Sequence, residues 1–332
     1  MEVLVVGNTA YVDDDFCAKA FPGDHVKVVA AKEASRDESL PYASWKEMLQ
    51  HLDQAYEFDR VVYLSYYLTP HTDTVGDIEL LRSVFRACMG RRVQLLYVAG
   101  PAGAEGAPDV AGQTGKGIIA RAGNDLCRYY AKRGGVQAKI LRAPFLYTAS
   151  VALEDPFLVP LFDACSTGSV ALQGAEDSAF SLLCAEELAV LVRRIFDSWD
   201  ASFETLDVAD SFHHTAREVG EALKGLFPGL AVAYGDSAGY ALPASDVVRV
   251  RYGWFQRYDL LRDLSTIQAR WAGNQTKKVN PLRAAIDRIQ VHTLPVKCLE
   301  TVLAFALFEC LTRLFAQSPS STFSTIVCFM WC

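Results

Sequence analysis

Apolar residues in the first 150 positions follow two alternating patterns. Short, nearly continuous apolar runs occupy residues 3–7, 25–30, 60–68, 93–99 and 138–141. Between them, apolar positions recur at intervals of three and four, as expected of one face of a helix. This second pattern covers residues 14–20, 45–56, 77–89 and 117–133. In the third of these, Ile78, Leu81, Val84, Phe85 and Cys88 share one stripe; in the second, Met48, Leu49, Leu52 and Ala55 do. Pro22-Gly23, Gly90 and Gly134-Gly135 stand where three of the helices should stop. The continuous runs predict strands covered on both faces. Strands that alternate with helices of this length pair in parallel through crossovers. The expectation is an α/β fold, a doubly wound parallel sheet of Rossmann-like type, over residues 1–150. Ligands of such sheets lie beyond the carboxyl ends of the strands. That points to Gly7 onward and to residues 30–32, 65–69, 99–103 and 143–147.

The rhythm changes after residue 150. Residues 155–165 and 185–199 have helical spacing, and residues 169–172 and 203–208 look like short strands. Residues 215–226 read as a helix, with Thr215 as cap and Glu218 three residues on, the signature of a capping box. This predicts a smaller mixed α/β region over residues 151–270. Residues 271–297 read as a basic linker: Lys277, Lys278, Arg283, Arg288 and Lys297, preceded by Arg270, stand against the single acid Asp287. An apolar stretch from Cys298 to Ala316 follows, then a Gln-Ser-Pro-Ser-Ser break and an almost wholly apolar end. A basic cluster ahead of an apolar helix of near-spanning length obeys the positive-inside rule. Residues 298–332 are therefore expected to form a hydrophobic C-terminal helix or hairpin that anchors the chain in a membrane. The competing reading is an amphipathic helix packed on protein, because Glu300, Glu309 and Arg313 are costly in lipid unless Glu309 and Arg313 pair across one turn. The apolar finish suggests that a longer parent protein continues past residue 332.

Composition narrows the function classes. A formal net charge of −7 argues against nucleic acid as partner. The nine cysteines are scattered without a CxxC pair, which fits free thiols in a reducing compartment. The six histidines have no metal-ligand spacing, and the adjacent His213-His214 point in different directions. The first residues lack the basic start and cleavage site of a signal peptide, so the body of the protein is expected in the cytoplasm. There is no G-x-S-x-G elbow, Walker loop or HExxH motif.

Four segments, in order and spacing, resemble the extended short-chain dehydrogenases, in the NAD-dependent epimerase/dehydratase branch. Asp73-Thr74-Val75-Gly76 is similar to that family's NVxGT, and Ile140-Leu141-Arg142-Ala143-Pro144-Phe145-Leu146-Tyr147 to its ILRPPNVYG. Leu183-Cys184-Ala185-Glu186-Glu187-Leu188-Ala189 is similar to hVeDvA, and Arg251-Tyr252-Gly253-Trp254 to a late LGW element. The resemblance covers residues 2–270 and implies an NAD(P) cofactor and a nucleotide or nucleotide-sugar ligand.

The functional motifs depart from the family. The cofactor pattern GxxGxxG falls on Gly7-Asn8-Thr9-Ala10-Tyr11-Val12-Asp13. Gly7, Asn8, Tyr11 and Val12 are the positions the resemblance assigns to the cofactor loop. Ala10 replaces the second glycine, where backbone approaches pyrophosphate, and Asp13 the third, where helix meets strand. A carboxylate about 5 Å from a phosphate costs roughly 3 kcal/mol at an effective dielectric near ~20, about a hundredfold in affinity. Two readings remain open: a helix start that binds no anion, and a dinucleotide held in a modified pose. Lys32 is placed either to meet a 2′-phosphate or as a solvated surface lysine. The family's catalytic Ser/Thr and Tyr-x-x-x-Lys fall on the segment around Gly100 and on Lys116 and Ala120. Tyr129 and Tyr130 lie on the same helix but roughly 15 Å further on, at about 1.5 Å per residue. The expectation is a pseudoenzyme, a binding or regulatory module with a protein partner. Its order of domains is similar to fused receptors in bacterial exopolysaccharide synthesis. The alternative is an active epimerase or reductase with rearranged residues.

Overall fold

A computed structural model describes residues 1–7, 11–30, 57–64, 74–100, 115–150, 155, 157–172, 174–179, 181–200, 202–208, 212, 214–235 and 246–279. The chain divides into two compact units, Met1–Ala272 and Gly273–Cys332.

The first unit is built on a parallel sheet of six strands. In chain order these are β1 (Glu2–Gly7), β2 (His25–Ala30), β3 (Arg60–Leu64), β4 (Gln94–Ala99), β5 (Gln137–Arg142) and, after a long excursion, β9 (Thr205–Asp207). They lie side by side as β2-β1-β3-β4-β5-β9. The order in which strands are added reverses at β1, with β2 on one side and β3 on the other, which makes the gap beyond Gly7 and Leu64 the topological switch point.

Alternate residues of these strands face opposite layers, and both layers are covered. Val3, Val5, Val62, Leu64, Leu96, Val98 and Leu141 pack toward helix α1 (Asp14–Ala20) and helix α5 (Ala185–Asp197). Leu4, Val6, Val61, Tyr63, Leu95, Tyr97 and Ile140 pack toward α2 (Thr74–Cys88) and α3 (Gly115–Arg133). This is why the strands read as continuous apolar runs and not as alternating ones. Helix α3 comes so close to the sheet that a Cβ at Gly123 would sit 1.9 Å from the Tyr97 hydroxyl.

A second core gathers the later elements. It joins β6 (Phe145–Tyr147), α4 (Leu158–Ser166), β7 (Ser169–Leu172), β8 (Leu182–Cys184), α6 (Ala216–Leu226), β10 (Ala231–Tyr234) and α8 (Leu260–Val279), with α7 (Val247–Tyr252) against α5. Here the sheets are two-stranded parallel pairs, β6 with β8 and β7 with β10. Thr215 caps α6 in the expected box with Glu218.

Several expectations need correction. The helix expected from residue 155 begins at Leu158. Asp155 lies just outside it, and its carboxylate accepts the N–H groups of Leu158 at 2.7 Å and Phe157 at 2.9 Å. The strand expected over residues 203–208 is only Thr205–Asp207, and it belongs to the main sheet instead of the smaller region. The linker expected from residue 271 starts inside a helix, because α8 runs to Val279. The helix expected over residues 45–56 and the hydrophobic helix expected over residues 298–332 lie outside the described residues. No helix among the described residues is long and apolar enough to cross a membrane.

Candidate functional site

Gly7 closes β1 at the switch point. A Cβ added there would lie 3.3 Å from the Leu64 Cβ and 3.3 Å from Val12 Cγ2. The glycine is thus demanded by packing between β3 and the start of α1, whether or not a ligand binds. Asn8 lies outside the described residues, as does Lys32. Tyr11 and Val12, assigned to the cofactor loop, have buried side chains that belong to the core under the sheet. The Tyr11 hydroxyl donates to the Leu146 carbonyl oxygen at 3.1 Å, tying the loop to β6.

Asp13 is the N-cap of α1. Its carboxylate accepts the Phe16 N–H at 2.8 Å, and Asp14 and Asp15 follow in the first turn. Such capping satisfies one of the orphan donors of the helix and places negative charge where the dipole is positive. The same two features are what an anion at a helix N-terminus uses. The nearby Cys17 thiol is pushed up to about 11, first by burial and then by Asp14 and Asp13.

The positions that the resemblance assigns to catalysis fall at the end of β4 and the start of α3. Gly100 follows β4 directly, and the loop from residue 101 to 114 lies outside the described residues. Helix α3 begins at Gly115, so positions 116 and 120 stand one turn apart in its first two turns. Those positions hold Lys116 and Ala120. Tyr130 is buried, with its ring stacked on Phe85 at a centroid distance of 5.1 Å, and Tyr129 is 60% exposed. Neither tyrosine is available at the start of the helix.

Other ionisable groups at the carboxyl edge are engaged. Arg142, the last residue of β5, meets Asp207 of β9 through two bonds, Nε to Oδ1 at 2.5 Å and Nη2 to Oδ2 at 2.7 Å. Tyr147 is fully buried beside Cys184, and burial holds its phenol far above the ordinary tyrosine range. Its neighbour Cys184 donates its S–H to Glu186 Oε2 at 2.6 Å. His214 meets Asp259 at 2.7 Å, which links the starts of α6 and α8; His213 lies outside the described residues. Among the described residues no group of His, Cys, Asp or Glu side chains is arranged to hold a metal.

Sequence reasoning passed over Lys139. It is fully buried in β5, and its ammonium donates to Asp200 at 2.8 Å, Glu204 at 2.5 Å and the Ser202 carbonyl at 3.0 Å. Arg251 joins the same two carboxylates from α7. A lysine inside an apolar strand was the available signal, since such a group is buried only when paired.

No family model matches the chain, and no curated protein matches it. Solved structures do. UDP-glucose 4-epimerase from Thermotoga maritima, determined with UDP-glucose, is 14% identical; the match covers 83% of this chain and 100% of that one at a TM-score of 0.62. A short-chain dehydrogenase/reductase superfamily protein from Agrobacterium tumefaciens with bound NAD is also 14% identical, with 84% and 99% covered and a TM-score of 0.63. A GDP-mannoheptose C4 reductase from Campylobacter jejuni with NADP bound is 13% identical, with 82% and 98% covered and a TM-score of 0.59. At such identities the likeness is one of fold, the extended short-chain dehydrogenase fold of NAD-dependent epimerases and reductases.

Proposed function

We propose that this chain is a catalytically degenerate epimerase/dehydratase-like domain that works as a binding or regulatory module. Its ligand is a nucleotide or nucleotide-sugar, and it acts on a protein partner while tethered to a membrane through residues 298–332. The observation that carries the reading is the start of α3. There, the positions that should present a phenol and an ammonium one turn apart hold Lys116 and Ala120, while both tyrosines of the helix sit at its far end. Loss of a general acid/base alone lowers rates by about 10²–10⁴-fold, and no described side chain stands in for it.

The cofactor loop supports the same conclusion. Gly7 fits the turn that a dinucleotide needs, but the Asp13 carboxylate and its two acidic neighbours oppose a diphosphate at the α1 N-terminus. In its ordinary pose an NAD(P) diphosphate does not fit these residues. The free cysteines suit a cytoplasmic location, and the basic-then-apolar tail suits the tether. A role in exopolysaccharide synthesis is part of the same reading, supported by the similarity of this domain order to fused receptors of that process.

The test uses the purified full chain. Titration with NAD⁺, NADH, NADP⁺ and NADPH should show no binding tighter than millimolar, while UDP-glucose or GDP-mannose binds without being converted. Epimerised, dehydrated or reduced sugar in the product mixture would overturn the reading. It would select the alternative, an active NAD(P)-dependent nucleotide-sugar epimerase or reductase with rearranged residues. That alternative is favoured by the near-complete coverage of the NAD- and NADP-bound structures.

A further inference from the structure

Five of the eight large apolar side chains exposed on the described surface lie on α5, on α7 or in the turn between α7 and α8. They are Val190, Val247, Val250, Phe255 and Tyr258. Three of them, Val190, Phe255 and Tyr258, line one cleft of about 310 Å³, which also takes in Trp254 and the end of α1 at Lys19. Scattered exposed apolar residues are ordinary; three converging on one concavity mark a binding surface. The volume lies at the small end of the range for ligand pockets. Of the carboxyl-edge residues described above, Glu186 alone contributes to its wall.

The charges in the cleft are arranged asymmetrically. Its two carboxylates face the protein. Glu187 is buried and accepts the backbone N–H groups of Arg257 at 2.5 Å and Tyr258 at 3.2 Å; Glu186 accepts the Cys184 thiol. Among the described residues neither of its arginines forms an ion pair with a carboxylate, although the Arg257 charge acts on Glu187 from a distance. Arg194 Nη1 donates to the Tyr252 and Gly253 carbonyl oxygens, which leaves its charge in place. Gly253 permits this approach: it adopts φ +60°, and a Cβ there would come within 3.2 Å of Arg194 Nη1. Arg257 is exposed, and its guanidinium lies 5.3 Å from the centre of the Phe255 ring. A guanidinium set over an aromatic face keeps its edge donors open for a carboxylate, sulfonate or phosphate oxygen.

We infer that this cleft binds a small organic anion, with its acidic group on Arg257 and its apolar or aromatic body between Val190, Phe255 and Tyr258. This site is independent of the switch-point crevice, so it stands whether or not that crevice holds a nucleotide.

The test is fluorescence titration of the full chain with 8-anilinonaphthalene-1-sulfonate, an aromatic anion. Binding should be saturable. Arg257→Glu and Val190→Glu should each weaken it at least tenfold, and Lys132→Glu on the exposed side of α3 should leave it unchanged. Arg257→Gln, a milder change, should give a smaller loss in the same direction. Every variant keeps the backbone N–H that meets Glu187, and the Arg257 charge acts on that carboxylate only from a distance, so these variants should keep the native circular dichroism and lose little in melting temperature. Naphthalene-2-carboxylate should displace the dye, whereas naphthalene-2-carboxamide and millimolar UDP-glucose should not. The inference is overturned if the dye does not saturate, if folded Arg257→Gln and Val190→Glu bind it as tightly as the parent, or if the neutral amide competes as well as the acid.

Discussion

The Asp13 carboxylate and the Phe16 backbone N–H are joined at 2.8 Å, so the first turn of α1 is capped by its own chain. In a dinucleotide-binding Rossmann unit that turn faces the pyrophosphate. Here the protein supplies its own anion to the helix dipole, and two more acids stand behind it.

Asp13→Ser separates the cap from the charge. Serine caps about as well as aspartate, so stability should change by no more than about 0.5 kcal/mol in urea denaturation. Affinity for NADH, followed by its fluorescence, should rise at least tenfold as the carboxylate leaves the crevice. Unchanged affinity would mean that Asp13 does not set the cofactor preference.

Gly123→Ala tests the contact between α3 and the sheet. The added Cβ would overlap the Tyr97 hydroxyl, so the helix or the ring must move, at about 2 kcal/mol in stability. Tyr97→Phe in the same chain removes the nearest clashing atom and should recover part of the loss. Full stability in the single variant would contradict the close packing.

Glu187→Gln reads the buried carboxylate as a function of pH. Burial is the largest influence on Glu187 and raises its pKa above the ordinary glutamate value, against the opposing pull of the Arg257 and Tyr258 N–H groups. A carboxyl whose folded pKa is raised binds its proton more tightly in the native state. Its contribution is complete below the unfolded pKa and declines as pH rises through the folded one. The stability advantage of the parent over Glu187→Gln should therefore be larger at pH 4 than at pH 7 in parallel denaturation curves. An advantage that grows toward neutral pH would reverse the assignment.

Lys139→Met leaves Asp200 and Glu204 with Arg251 as their remaining cation. The loss should be about 2–3 kcal/mol by chemical denaturation, less than for a fully buried pair because Asp200 is half exposed. Adding Glu204→Gln should return part of it.

Much of the sheet could be read from the sequence because its strands are buried on both faces. Their continuous apolar runs therefore survive without tertiary knowledge, and β2 and α1 fall where periodicity puts them. The Thr215–Glu218 box was legible for a similar reason: it is a local interaction with its own signature. The three-residue strands β6 and β8 were not, since so short a segment carries no period and exists only through its partner. Helix α8 was missed although Leu260, Leu264, Ile267 and Trp271 follow helical spacing, because the basic residues beyond them drew attention to a linker. At the candidate site the identities of Lys116 and Ala120 came from sequence alone. The Asp13 cap and the burial of Tyr11 needed coordinates, because rotamer and register decide them. The cleft under Arg257 gave only the aromatic-rich run Trp254-Phe255-Gln256-Arg257-Tyr258 as a hint, with its wall completed by α1 and α5 from far away in the chain.

The last strand of the main sheet comes from residues 205–207, more than sixty positions after the neighbour it pairs with. While the chain is being synthesised, β5 therefore waits with one flank of backbone groups unmatched, an invitation to mispairing with other nascent chains. Lys139 sits on that waiting strand, and the groups that neutralise it, Asp200, Ser202 and Glu204, are translated in the same late stretch as β9. Until they emerge, an uncompensated ammonium keeps the open strand soluble and discourages premature burial. Once they arrive, strand closure and charge neutralisation become a single event.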